Sequence, residues 1–389
     1  MKILHQLQKR KSQVPSAYSL VDVGRDTVKA AVALVIPGNR EPQVVGFGLA
    51  ETGNHEITGG RNEAEAVVYP VNQALTQAED SAEQYIGQKI VPDDVIFAVA
   101  GRAVIGKLFS VEQARPRSSK PITAREIKTL RLRAEKLVPA GLAAAAIEGG
   151  QWLPLAVTDA GTMLDGRLVL GEVGLTGKKL SHAVFGVAAQ ASALRGLEVL
   201  AEALNLAIAN VVASPHALAS LAPQADAIIL DIGFSGTDIL LIKNDALAAT
   251  DWVPFGGYFF TQMLAQSLDL SPKAARTLKH AYANGSLLGD QSERMAVKLE
   301  PAFERWYAAV FEILTDFATI GALPRRVYLT GGAGQLPGFD RMLKINPAPF
   351  EAVPEVSPLG PTAIKDLTDS MNYNLMALAL SLTVGIPEL

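Results

Sequence analysis

The feature that most constrains the fold is a strand–loop–strand unit that occurs twice. The first copy is Y-S-L-V-D-V-G-R-D-T-V-K-A-A-V-A-L-V (18–35), and the second is A-I-I-L-D-I-G-F-S-G-T-D-I-L-L-I-K (227–243). In each copy an apolar run ends in Asp-x-Gly and a second apolar run follows a polar turn, which is the pattern of a β-hairpin. Because one copy opens each half of the chain, the sequence predicts two similar α/β domains.

Helix and strand patterns fill the rest of both halves. Helices are predicted over 63–86, 181–209, 259–283 and 295–320, and a buried strand over 94–101. Thr123 and Glu126 form a capping box that begins another helix. R-V-Y-L-T-G-G-A-G-Q-L-P-G-F (326–339) is a strand that runs into a glycine-rich turn. No low-complexity linker interrupts the 389 residues, so packed crossovers are expected between the domains.

Positive charge is concentrated in two zones. Residues 101–136 hold ten lysines and arginines against three glutamates, and residues 1–11 hold four basic residues and no acid, although the whole chain has a net charge of −4. In the predicted helix after Thr123, the residues Ile127, Leu130, Ala134 and Leu137 mark one apolar face. Most of the basic residues therefore point elsewhere, as a solvated face or as a docking face for an acidic partner or a lipid surface.

Composition excludes several classes of protein. The chain has no cysteine, which excludes disulfides and thiolate metal sites. Neither the N-terminus nor the apolar stretch 375–386 has the length of a signal peptide or a spanning helix, so a cytoplasmic protein is expected. The five histidines are scattered, and His216 is interpreted as structural. Residues 171–179 look like a phosphate-binding P-loop but lack its spacing.

Three glycine-containing loops have the chemistry of a nucleotide site. Asp22 and Asp231 each end an apolar strand, where a carboxylate can hold the water shell of Mg²⁺. Glycine after each acid lets the backbone approach a phosphate and offer its N–H groups. These glycines are Gly24 and Gly233. Lys29 can supply a positive charge to a phosphate. Gly331, Gly332 and Gly334 form a flat floor against which a nucleoside could lie.

The order of these motifs resembles the actin-like ATPase superfamily, and within it the FtsA-type cell-division proteins, over nearly the whole chain. V-D-V-G-R-D-T-V-K is similar to the family's first phosphate motif, L-D-I-G-F-S-G-T-D to its second, and Y-L-T-G-G-A-G-Q-L-P-G to its adenosine motif. I-F-A-V-A-G-R-A-V followed by P-I-T-A-R-E-I resembles the inserted subdomain called 1C. M-L-D-G-R-L-V-L-G-E-V-G-L-T-G-K-K-L and W-V-P-F-G-G-Y-F-F-T resemble two further FtsA-type segments.

The resemblance implies an α/β, two-domain actin-like fold of duplicated RNase-H-like sheets flanked by helices, with an inserted 1C subdomain. The boundaries expected are a basic tail (1–14), the first domain (15–90 and 173–222), 1C (91–172), the second domain (223–270 and 321–389) and a shortened 2B region (271–320). ATP and Mg²⁺ are expected between the domains, with Asp22 and Asp231 holding the metal through water. No residue is predicted to be catalytic, and a weak ATPase acting as a switch is the most that is expected. The nucleotide-binding residues implied are Asp22, Gly24, Lys29, Asp231, Gly233, Ser235, Thr237, Gly256, Gly257, Lys279, Gly331, Gly332 and Ala333.

The sequence departs from the family pattern at several positions. Arg25 follows Gly24 where Thr or Ser is usual, Phe234 and Ser235 replace glycines, and Arg276 stands where a glutamate commonly holds the ribose. The segment that corresponds to subdomain 2B, which binds the FtsZ tail in the family, is shortened. The chain also stops at T-V-G-I-P-E-L, where the family continues into an amphipathic membrane helix.

Two functions remain open at this stage. The first is an FtsA-like filament protein that polymerises head to tail and links the FtsZ ring to the inner face of the cell membrane. The second is a PilM-like pilus-assembly adaptor that binds a partner's tail peptide, with structural or absent nucleotide. A sugar or acetate kinase is disfavoured because no acceptor-site aspartate is found. The N-terminal residues predict either a basic tail or a short membrane-binding helix, and no nucleic-acid partner is expected.

Overall fold

The structure, a computed structural model, describes residues 15–39, 42–53, 55, 57, 59–145, 150–169, 174–359 and 381–387. The predicted basic tail (1–14) and the first half of the apolar stretch 375–386 lie outside the described residues. None of the described helices is both long enough and apolar enough to cross a membrane.

The first copy of the repeated unit forms the centre of a five-stranded sheet. Strands β1 (Ser16–Val23) and β2 (Thr27–Val35) pair antiparallel, and β3 (Gln43–Glu51) extends the hairpin. On the other side, β4 (Asp94–Val99) pairs parallel with β1, and β9 (Ala207–Ala213) pairs parallel with β4. The strand order is β3-β2-β1-β4-β9. Helix α1 (Arg61–Ile86) packs on this sheet through a buried stripe of valine, alanine and leucine.

The second copy builds a sheet of the same plan. Strands β10 (Ala227–Ile232) and β11 (Thr237–Lys243) pair antiparallel, β12 (Ala246–Val253) extends them, and β13 (Arg326–Thr330) and β14 (Glu355–Pro358) follow in parallel. The order β12-β11-β10-β13-β14 repeats that of the first sheet. The duplication predicted from the two Asp-x-Gly hairpins is therefore confirmed.

Helices cover the second sheet and fill the segment before β13. They are α5 (Gly257–Leu268), α6 (Pro272–Ala283), α7 (Asp290–Ala318) and, after β13, α8 (Phe339–Ile345). The single helix predicted over 259–283 is two helices, because Asp269 adopts a left-handed backbone conformation that ends α5 and the Ser271 side chain caps the start of α6.

A third, four-stranded sheet is formed by strands that lie between β4 and β9 in the sequence. It consists of β5 (Val104–Ala114), β6 (Trp152–Leu164), β7 (Arg167–Leu168) and β8 (Lys179–Gln190) in the order β5-β8-β6-β7. Helix α2 (Ala124–Ala145) packs on β5 and β8. The predicted helix over 181–209 is wrong in its first part, because 181–190 belong to the central strand β8. Only α3 (Ala191–Leu204) is helical there, and it is followed by β9 and the short α4 (Ser214–Ala219).

One apolar cluster joins the three sheets. It includes Val187 on the third sheet, Ala213 on the first, and Ile229 and Leu240 on the second, all nearly inaccessible to solvent. Strand β12 of the second sheet also lies against β5 and β6. The halves are thus held together by a shared core rather than by a linker, as the sequence predicts.

Candidate functional site

The two repeated hairpin loops face one cavity of about 740 Å³. Each loop follows the central strand of its own sheet, β1 or β10, so both lie where parallel strands end, which is where α/β sheets place ligands. Eleven of the thirteen residues predicted to bind nucleotide line this cavity: Asp22, Gly24, Lys29, Asp231, Gly233, Ser235, Gly257, Lys279, Gly331, Gly332 and Ala333.

Thr237 and Gly256 do not line the cavity. Thr237 is fully buried, donates from its hydroxyl to the carbonyl of Phe255 (2.7 Å) and accepts from the indole of Trp306 (3.0 Å). A Cβ on Gly256 would lie 2.6 Å from the carbonyl oxygens of Gly233 and Phe234. Both residues therefore support the second loop without lining the cavity.

The first loop pairs an acid with a lysine. Asp22 and Lys29 are cross-strand partners, and the Lys29 Nζ donates to Asp22 Oδ2 at 2.9 Å. Burial lowers the pKa of Lys29, but the charges of Asp22 and Asp231 outweigh burial, so the pKa lies above its ordinary value. Lys29 is therefore a permanent cation between the acids of both loops.

In the second loop, two acids lie opposite each other, where the first loop has an acid and a lysine. Asp231 and Asp238 are cross-strand partners on β10 and β11. Burial raises the pKa of Asp231 to about 6, an effect that Lys29 opposes and Asp22 adds to. Burial and the neighbouring Asp231 hold the pKa of Asp238 well above its usual range, although Asp238 accepts a hydrogen bond from the backbone N–H of Gly101. That bond joins the second half of the molecule to the end of β4 in the first half.

Phe234 is compatible with a phosphate-binding loop. Its φ is not positive, so this position does not require glycine. Its ring packs on Tyr258, with centroids 5.3 Å apart. Among the described residues, the amides of Phe234 and Ser235 have no acceptor, whereas the Gly233 amide donates to the carbonyl of Gly236 at 2.9 Å. The two amides remain available to an anion whatever the side chain is.

Arg25 and the start of α5 fix the outer wall of the cavity. The guanidinium carbon of Arg25 lies 5.9 Å from the centre of the Tyr258 ring, so a side chain of the first loop reaches across to the second half. The amides of Gly257 and Tyr258 donate to the carbonyls of Gly233 and Phe234, both at 2.9 Å. These first amides of α5 are thus occupied by the second loop and do not face a ligand.

The third loop forms an open floor beside Asp231. Because β13 pairs with β10, Thr330 lies opposite Asp231, and Gly331 follows directly. Gly331 has a φ of +84°, and a Cβ there would collide with the Asp231 carboxylate. A Cβ on Gly332 would meet nothing within 4 Å, so this glycine faces open space. The Ala333 amide donates to the carbonyl of Ile232 at 2.9 Å, which ties the floor to the second loop.

Lys279 contributes a second cation from helix α6. Its Nζ donates to the carbonyl of Gly257 (2.7 Å) and to the hydroxyl of Thr261 (2.9 Å). Burial lowers the pKa of Lys279 to about 8, with Asp26 opposing and Arg276 adding to the effect. The amino group is consequently charged at neutral pH and becomes neutral in mildly alkaline solution.

Sequence reasoning missed the role of Arg276. Its guanidinium lies 3.0 Å from Asp26 Oδ1 and 3.3 Å from Glu51 Oε1, both in the first half of the chain. The sequence marks Arg276 only as a departure from a ribose-binding glutamate. A basic residue at a position where the family has an acid predicts an acidic partner nearby. That partner is Asp26 of the β1–β2 loop.

The loops and the charged side chains that line the cavity fit a nucleoside triphosphate. Free amides of the second loop, two lysines and the flat floor at Gly332 all border one cavity. No group of three or more His, Asp or Glu residues in the described part of the chain is arranged to ligate a metal directly. Mg²⁺ held through water by Asp22 and Asp231 stays a prediction.

No family model matches the chain. Two curated proteins, the cell division protein FtsA of Agrobacterium fabrum and that of Rhizobium radiobacter, are each 28% identical to it over 207 residues, which cover 46% of this chain and 46% of each FtsA. The chain thus spans about half the length of the curated relatives it matches.

Solved structures match over nearly the full length. The chain is similar to a structure of the PilM-PilN type IV pilus biogenesis complex (TM-score 0.62, 19% identity, 96% of this chain and 99% of that chain). It is also similar to the ethanolamine utilization protein EutJ from Carboxydothermus hydrogenoformans (TM-score 0.52, 14% identity, 99% and 96%) and to MamK in a double helical filament (TM-score 0.50, 11% identity, 95% and 98%). At these identities the structural likeness shows the fold. The duplicated sheets and these structural likenesses show that the chain has a two-domain, actin-like fold, and its sequence is similar to FtsA over about half its length.

Proposed function

We propose that the chain is an actin-like switch that binds ATP with Mg²⁺ between its two halves. Asp22, Lys29 and the amides of Phe234 and Ser235 would hold the phosphates and the hydrated metal. Gly331, Gly332 and Lys279 would border the nucleoside. The nucleotide would supply a bridge of negative charge between the halves, and Asp22 and Asp231 would orient the hydrated Mg²⁺.

The observation that carries this proposal is the meeting of the two hairpin loops at Lys29. The lysine contacts Asp22 of its own loop, and the Asp231 charge of the other half raises its pKa further. A phosphate chain placed there would contact groups from both halves at once, so its presence would favour one angle between them.

The proposed biological role is to self-associate head to tail and to link a division assembly, the FtsZ ring, to the cytoplasmic face of the membrane. The sequence likeness to FtsA supports the division role, and the fold shared with MamK, which is seen as a filament, supports self-association. A heterologous contact of this kind gives open filaments. Hydrolysis is not needed for such a switch, and we assign no catalytic residue.

A second candidate is an adaptor of pilus assembly that binds a partner's tail peptide, with nucleotide structural or absent. The observation that favours it is the pair of arginines in the cleft. Arg276 reaches Asp26 and Glu51, and Arg25 covers Tyr258, so the protein's own cations link the halves.

Assembly on lipid separates the two candidates. The full chain is mixed with ATP, Mg²⁺ and vesicles containing phosphatidylglycerol, then pelleted and imaged by electron microscopy, with ADP and nucleotide-free samples alongside. ATP-dependent filaments support the division switch. A monomer under all three conditions contradicts it and favours the adaptor.

A further inference from the structure

Helix α2 presents a basic outer surface that the nucleotide site does not use. The helix buries Ile127, Leu130, Ala134, Val138 and Leu142 against the third sheet. Val138, rather than the predicted Leu137, completes this apolar stripe, since Leu137 is exposed. The opposite side, which we call the basic face, consists of the exposed residues Arg125, Lys128, Leu132, Arg133, Lys136 and Leu137.

Most cations of the basic face have no acidic partner within the described ranges. Arg131, at its edge, pairs with Glu135 (2.8 Å) and Asp159 (3.7 Å). By contrast, Arg125, Lys128 and Lys136 form no ion pair with any described carboxylate, and Arg133 donates to the neutral amide of Gln113 at 3.2 Å. These positive charges lie along one helix with their mutual repulsion uncompensated, so an external anion is attracted there.

Two exposed leucines lie among the cations of the basic face. Leu132 and Leu137 are each 47% exposed. An acidic protein surface would satisfy the charges but would also need a pocket for each leucine. The headgroup region of an anionic bilayer offers phosphates for the cations and an apolar boundary for the leucines on the same flat surface. The combination therefore fits a bilayer better than an acidic protein.

The basic face is preformed rather than ordered on binding. Arg115 is 7% exposed and fixes the start of α2, because its guanidinium donates to Glu126 (3.0 Å) and to the carbonyls of Gly177 and Lys120 (both 3.0 Å). The amide of Thr123 donates to the same Glu126 carboxylate at 2.9 Å. A rigid helix pays little ordering entropy when it docks.

We propose that the basic face of α2 binds anionic lipid bilayers directly. This contact requires neither nucleotide nor filament formation, and it involves none of the cavity residues. It would bring the third sheet, on which α2 packs, next to the membrane.

The test is flotation of the full, nucleotide-free chain with vesicles of phosphatidylglycerol and phosphatidylcholine, or of phosphatidylcholine alone. We expect binding to the anionic vesicles only, weakened by salt. The triple variant Arg125→Glu/Lys128→Glu/Lys136→Glu is expected to lose at least roughly a hundredfold in affinity, at about fivefold for each cation near the surface. Leu132→Ser/Leu137→Ser, which keeps every charge, is expected to lose roughly tenfold.

The matched control is Lys273→Glu/Arg294→Glu/Lys298→Glu, which changes the net charge equally at exposed positions of α6 and α7. It is expected to bind within about threefold of the unaltered chain, because charges far from the bilayer are screened. Equal losses in both triples, or equal binding to neutral vesicles, would overturn the proposal. So would a chain that ignores vesicles but binds polyglutamate through the same cations, since that result assigns the face to an acidic protein.

Discussion

The guanidinium of Arg276 lies 3.0 Å from Asp26, although 249 residues separate them in the sequence. Arg276 belongs to α6 beside the second sheet, and Asp26 belongs to the loop between β1 and β2 of the first sheet. Glu51, 3.3 Å away, gives Arg276 a second carboxylate of the first half. The two halves are thus joined across the cleft by an ion pair that needs no nucleotide.

Reversal of this charge is expected to open the cleft. Arg276→Glu places a carboxylate against Asp26 and Glu51, and because Arg276 is one third exposed, the loss is about 1 kcal/mol, or roughly a fivefold shift toward open forms. The chain has no cysteine, so Glu83→Cys on α1 and Glu312→Cys on α7 supply unique label sites for distance measurements. The exposed Lys273→Glu on the same helix is the control. An unchanged distance distribution in Arg276→Glu would show that the pair does not hold the halves.

Phe234 is expected to contribute to stability more than to nucleotide binding. Phe234→Gly removes the ring that packs on Tyr258, which costs about 1 kcal/mol of unfolding free energy, but it keeps the loop amide. Titration with ATP and Mg²⁺ should give an affinity within about threefold of the unaltered chain. A tenfold or greater gain in affinity would mean that the ring occupies space needed by the phosphates.

Nucleotide binding is expected between about pH 6 and pH 8. The folded-state pKa of Asp231 is raised to about 6, so its carboxylate is protonated as the pH falls through that value and would no longer hold hydrated Mg²⁺. The pKa of Lys279 is lowered to about 8, so its cation is lost as the pH rises through 8. Calorimetric affinities across this range should be bell-shaped. Lys279→Arg should remove the alkaline decline, and a flat profile in the unaltered chain would contradict both assignments.

Thr237 is expected to act on the fold alone. Thr237→Val leaves the Trp306 indole N–H without its buried acceptor, which costs about 1–3 kcal/mol of unfolding free energy. Chemical denaturation measures this loss, and Thr237→Ser, which keeps the hydroxyl, is the control. ATP affinity at a temperature where both variants are folded should not change. A large loss of ATP affinity in Thr237→Val but not in Thr237→Ser would show that Thr237 belongs to the nucleotide site.

Much of the site follows from local sequence. The two Asp-x-Gly hairpins place Asp22 and Asp231 at the ends of equivalent central strands, and parallel pairing puts Gly331 next to Asp231. These relations depend on strand patterns of a few residues each, which sequence reasoning handles well.

Other features depend on contacts that no local pattern contains. The segment 181–190 is rich in alanine and valine, and its strand form is decided by pairing with β5 on one side and β6 on the other. The motif around Thr237 predicts a phosphate contact, yet the Thr237 hydroxyl accepts a hydrogen bond from Trp306, 69 residues further along the chain. The pairing of Arg276 with Asp26 requires the relative placement of both halves.

Binding of ATP with Mg²⁺ in the cleft through both loops is checked by calorimetry at pH 7.5 with the unaltered chain and Asp231→Asn. Because burial raises the pKa of Asp231, its charge destabilises the folded state above about pH 6, so Asp231→Asn should be as stable as the unaltered chain or up to about 3 kcal/mol more stable. Lost binding in this variant therefore cannot be attributed to unfolding. We predict Mg²⁺-dependent ATP binding by the unaltered chain and at least a tenfold loss in Asp231→Asn. Equal affinity in the two proteins, or no binding by the unaltered chain, would show that the two loops do not form an ATP site.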